Sequence, residues 1–84
     1  MTNLLKEKDF FGTTDINLFA TLLYYGYRTE AVDKSKRNNK ATFYTNRDGA
    51  LDSLIQRYFA HELSVEPLAF ATILKELKTR LYHS

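Results

Sequence analysis

Cysteine is absent from these 84 residues, which excludes disulfides and thiolate metal sites and leaves the redox compartment unmarked. Proline occurs once, at Pro67, so only one helix start can be signalled by it. The three glycines do not form a phosphate-binding loop. Apolar runs fall short of the roughly 18 residues that a membrane-spanning helix needs. The first eight residues, Met1 to Lys8, lack the apolar stretch and small-residue cleavage site of a signal peptide. The protein is therefore expected to be soluble and cytoplasmic, with no membrane partner. No serine stands in a recognisable nucleophile motif, and the His61-Glu62 pair lacks the second histidine of a zinc helix, since position 65 is Val65. His83 is terminal, and a metal site is not expected. An enzyme is not expected, and neither is a metal or other cofactor.

What is abundant is aromatic: six Tyr and six Phe, in a chain that is 44% hydrophobic and 26% charged. Large rings give a short chain the apolar payload for one core. A single domain over residues 1–84 is expected, with residues 1–8 frayed.

Asp9 to Gly12 can form a short N-terminal strand whose two phenylalanines, Phe10 and Phe11, point to opposite sides. Thr13-Thr14-Asp15 then signals a helix start. The helix it opens carries Ile16, Phe19, Ala20 and Leu23 on one stripe and Leu18, Leu22 and Tyr25 on the next, which predicts a central helix covered from two sides. Gly26 suits the position just past its end. Tyr27–Asp33 and Ala41–Thr45 favour strands through Tyr, Thr, Val and Phe, and Asn38-Asn39 suits the turn of a hairpin between them. Asp48 caps a second helix with apolar positions Leu51, Leu54, Ile55, Tyr58 and Phe59. After a connector from His61 to Ser64, Pro67 opens a third helix with Ser64 or Glu66 to cap it. Phe70, Ile73, Leu74, Leu77 and Leu81 form the buried stripe of that helix. The expected fold class is α+β, in the order α-β-β-α-α, with the hairpin packed on three helices and a short strand possible before them.

Two groups of residues resemble a known family. The first is Phe11-Gly12-Thr13-Thr14-Asp15 with Leu18, Ala20, Leu22, Leu23 and Gly26. The second is Leu54, Tyr58, Val65, Pro67 and Phe70, then Leu74-Lys75-Glu76-Leu77-Lys78 and Leu81-Tyr82. Together they resemble a family of small phage and bacterial proteins built on a domain of unknown function, over roughly residues 10–82. The resemblance implies a mobile-element origin and brings no catalytic residue with it. Family members often have Asp before the proline, where this chain has Glu66, and the hairpin here is longer and more basic.

Charge gives the candidate site. Residues 28–47 carry six basic and two acidic side chains, a local +4, in a chain whose net charge is only +2. The centre of that stretch is Lys34-Ser35-Lys36-Arg37-Asn38-Asn39-Lys40. Lys34, Lys36, Arg37 and Lys40, with Arg28 and Arg47 at the strand ends, suit phosphates, because each neutralised phosphate releases counterions. Asn38 and Asn39 can hydrogen-bond phosphate oxygens or base edges. Tyr44 is the aromatic best placed to face outward, since Phe43 beside it takes the inward side. The expectation is a small nucleic-acid-binding accessory or regulatory protein of a phage or mobile element. The alternative is a protein-interaction module that engages a host or phage protein through exposed aromatics, with Tyr24, Tyr25, Tyr27 and Tyr44 as candidates. Most of those tyrosines are expected in the core with their hydroxyls in solvent. The third helix offers Thr72, Lys75, Glu76, Thr79 and Arg80 outward, a mixed-sign face that reads as solvated.

Overall fold

Antiparallel pairing on both sides of one strand organises the chain, as seen in a computed structural model that describes residues 9–34 and 41–83. The elements are β1 (Phe10–Thr13), α1 (Ile16–Tyr24), β2 (Ala31–Asp33), β3 (Thr42–Asn46), α2 (Gly49–Phe59) and α3 (Pro67–His83). The sheet order is β1-β3-β2, so β3 is central and the N-terminal segment supplies a full partner strand. This is the expected α+β architecture.

The register sorts the side chains. Phe11 stands opposite Thr45 and Phe43 opposite Thr13 and Val32, while Phe10 faces Asn46 and Gly12 faces Tyr44. Phe43 and Thr45 are each 1% exposed, which makes theirs the inner face. The two phenylalanines of β1 therefore do part to opposite sides, with Phe11 on the core. β2 is shorter than Tyr27–Asp33. The reason is local: Tyr27 donates its backbone N–H to the Leu22 carbonyl at 3.0 Å to close α1, so it cannot join a ladder. Pairing starts only at Glu30, whose N–H reaches the Tyr44 carbonyl at 2.8 Å. The Asn38-Asn39 turn lies outside the described residues.

α1 is the central helix. Asp15 caps it by accepting from the Leu18 N–H at 3.1 Å, and Leu18 through Leu22 are all buried. Its far end is a glycine-terminated motif. The Gly26 N–H bonds the Leu23 carbonyl and the Tyr27 N–H the Leu22 carbonyl, both at 3.0 Å, with Gly26 at φ 108°. On one side Phe19 stacks on Phe43, ring centroids 5.2 Å apart. α3 packs along α1 as well, and its Leu77 is 2% exposed.

α2 is capped by Asp48, which accepts from the Leu51 N–H at 2.8 Å, and it buries Leu51 and Leu54. Phe59, expected on the same stripe, is 62% exposed. It occupies the last turn, where its ring meets Tyr58 edge-on and overhangs a cleft. α2 closes as α1 does: the His61 N–H bonds the Tyr58 carbonyl and the Glu62 N–H the Arg57 carbonyl. Here, however, the left-handed residue is His61, at φ 61°. A side chain with a Cβ is strained there. His61→Gly is expected to stabilise the protein by about 0.5–1 kcal/mol, a rise in melting temperature of roughly 2–8 °C. An unchanged or lower melting temperature would show that the imidazole makes a compensating contact.

Of the two residues available to cap α3, Glu66 does so. Its carboxylate accepts from the Leu68 N–H at 3.1 Å and the Ala69 N–H at 2.7 Å. Those bonds hold its acidity stronger than that of an ordinary glutamate. Inside the core, the Thr45 hydroxyl has no hydrogen-bond partner among the described residues. Thr45→Val keeps the shape and removes the stranded polar atom, so stability is expected to rise by about 1 kcal/mol in urea titration. A loss of that size would mean that the hydroxyl is partnered after all.

Candidate nucleic-acid interface

The hairpin carries the charge, so its surroundings define the site. Lys36, Arg37, Asn38, Asn39 and Lys40 lie outside the described residues. Lys34, at their edge, is half-buried and donates from Nζ to the Arg80 carbonyl at 2.7 Å. That carbonyl is one of the last four of α3, where backbone oxygens lack helical partners and the helix dipole is negative. Lys34 thus works as a cap for α3 and fixes the root of the hairpin against the last turns of that helix.

The strand-end arginines are elsewhere. Arg28 precedes β2 and Arg47 follows β3, so both sit at the end of the strand pair remote from Lys34. From Thr42 to Arg47 the strand rises about 17 Å. Arg28 is exposed. Arg47 reaches Asp52 of α2 at 3.4 Å, with both side chains about half in solvent, which makes it a weak surface pair. The structure therefore does not bring Arg28 and Arg47 together with Lys34.

Tyr44 faces outward, as expected, and lies mid-sheet across Gly12. A Cβ placed on Gly12 would come within 2.5 Å of the Tyr44 ring, so this glycine permits the ring to lie flat over β1. The other tyrosines hold the fold together. The Tyr25 hydroxyl donates to the Ser64 carbonyl at 2.6 Å, and the Tyr24 hydroxyl accepts from the Glu66 N–H at 3.0 Å. The Tyr27 hydroxyl donates to Asp48 at 2.7 Å. Burial, then the bond to Asp48 and its negative charge, pushes the Tyr27 hydroxyl up to about 12. The same bond, followed by that from the Leu51 N–H, holds the Asp48 carboxyl below its ordinary value. These hydroxyls strap the end of α1 to α2 and to the α2–α3 connector, rather than reaching only solvent. Their partners lie 21 to 42 residues away, a separation for which the sequence has no local signal.

The residues that sequence reading passed over are on α3. Lys75, Lys78, Thr79 and Tyr82 line a shallow groove of about 350 Å³ with Ala71 and Leu74. Tyr82 is 69% exposed. Lys75 and Lys78 are exposed and make no ion pair among the described residues. The face taken as mixed in sign is in fact divided: at about 100° per residue, Glu76 turns away from the stripe that Lys75, Lys78 and Tyr82 share. The spacing 75, 78, 82 was the available signal.

Among the described residues no cluster of three or more His, Cys, Asp or Glu could hold a metal ion, and no helix is long and apolar enough to cross a membrane. His61 is the helix-terminating residue of α2.

Residues 8–83 match the family of a domain of unknown function, DUF5659, and the chain belongs to that family. The match spans the region over which the sequence resembled such a family. Neither a curated protein nor a solved structure matches the chain.

Proposed function

We propose that this protein is a small non-enzymatic nucleic-acid-binding protein, an accessory or regulatory factor of a phage or other mobile element, acting in the cytoplasm. It contacts phosphates through the basic hairpin. The observation that carries this reading is the bond from Lys34 to the Arg80 carbonyl, which sets the root of the most basic stretch beside α3. Lys34 and Arg80, 46 residues apart in sequence, become neighbours. Residues 34–40 and 75–80 together carry a formal +6, so the rest of the chain carries −4. Such a division orients a protein toward a polyanion and speeds encounter. The mobile-element setting rests on the family resemblance.

The alternative, a protein-interaction module led by the tyrosines near the hairpin, has less to offer here. Tyr24, Tyr25 and Tyr27 have their hydroxyls engaged within the fold. The two readings separate on salt. Fluorescence anisotropy with labelled duplex and single-stranded oligonucleotides, from about 50 to 300 mM salt, is expected to give log K falling against log salt with a slope of roughly −3 to −5. Absence of binding at the lowest salt would overturn the proposal and favour the protein-interaction reading.

A further inference from the structure

Resting on the nucleic-acid reading, we infer that the α3 groove is a stacking site for an unpaired base, so that the ligand is single-stranded. Three features of the groove point there. Tyr82 presents its ring to solvent at 69% exposure, at the end of a helix whose other large apolar residues mostly pack inward. Lys78 and Lys75 stand one and two turns before it on the same stripe and are free of ion pairs among the described residues. Ala71 and Leu74 give the groove an apolar floor, and Thr79 places a hydroxyl at its edge.

An aromatic ring beside cations is the arrangement that holds successive nucleotides of a single strand, the ring under a base and the ammonium groups on phosphates. In a duplex the base faces are covered by their neighbours, so an exposed phenol gains nothing from them. A second copy of this chain is a poor occupant, because antiparallel apposition of the two stripes sets lysines against lysines. An acidic peptide satisfies the lysines and leaves the ring without a planar partner.

Anisotropy on oligo-dT and on a duplex of the same length, at one salt concentration, tests the inference. Oligo-dT is expected to bind more tightly than the duplex. Tyr82→Ala is expected to weaken oligo-dT roughly 5- to 150-fold, as the loss of one stacked base would, with the duplex affinity and the salt slope unchanged. Tyr82→Phe keeps the ring and is expected to restore binding. The variant pair separates stacking from loss of fold, since circular dichroism of both should match the wild type. Poly-glutamate of equal charge is expected to compete at least about tenfold more weakly than oligo-dT. Tyr82→Ala with wild-type affinity, a preference for the duplex, or equal competition by poly-glutamate would each overturn the stacking site while leaving nucleic-acid binding intact. Failure of the wild type to bind either oligonucleotide would overturn both.

Discussion

Phe43→Ala is expected to destabilise the protein by about 3–5 kcal/mol, the range for removing a buried ring. Phe43, on the central strand, is 1% exposed and stacks on Phe19 with ring planes 25° apart. Its loss opens the seam where the sheet meets α1, and among the described residues both β1 and β2 pair only with β3. For a chain of this length total stability is on the order of 4–13 kcal/mol. One substitution can therefore consume much of it. Phe43→Leu, which keeps most of the volume, is expected to cost about 1.5 kcal/mol or less. Urea titration of the two variants measures the difference. A cost below about 1.5 kcal/mol for Phe43→Ala would show that the sheet does not rest on α1 as described.

The second large effect is on binding. Replacing Lys36, Arg37 and Lys40 together with Ser is expected to reduce the salt slope by about 3 on duplex DNA and about 2 on a single strand, with affinity at physiological salt falling below detection. Stability is expected to change by less than roughly 0.5 kcal/mol per site, as for polar surface positions generally. Lys34 is left in place on purpose. Its ammonium holds the Arg80 carbonyl, so its removal would disturb the end of α3 and confuse loss of contact with loss of structure. Retention of wild-type affinity and slope by the triple variant would place the phosphate contacts elsewhere.

Much of the fold was legible in the sequence because its signals are local. Asp15, Asp48 and Gly26 occupy the cap and stop positions that their chemistry suits, and the stripe from Phe70 to Leu81 faces the core. The alternation of Phe43 and Tyr44 gave the faces of β3 correctly. Where the reading went astray, contacts distant in sequence decided. Tyr27 has the β propensity of a strand residue, but a helix-ending bond and the Asp48 carboxylate claim it. Phe59 has the right period for burial, yet its side chain at the end of α2 is 62% exposed. His61 stands where a glycine would have announced the helix end, and nothing in the sequence marks it as left-handed.

The candidate site was legible as charge and illegible as geometry. Counting cations could not separate Lys34, bound to a helix carbonyl, from Arg28, free in solvent at the other end of the ribbon. Nor could it show that Lys75, Lys78 and Tyr82 share a groove on α3.

An NMR titration of the isotopically labelled protein with oligo-dT tests the central claim most directly, because it reports where the nucleic acid lies residue by residue. The account predicts amide shifts concentrated at residues 34–42 and 74–83, with little change around the connector at residues 61–66. Shifts centred on that connector and on Tyr24 and Tyr25, or no shifts at low salt, would contradict it.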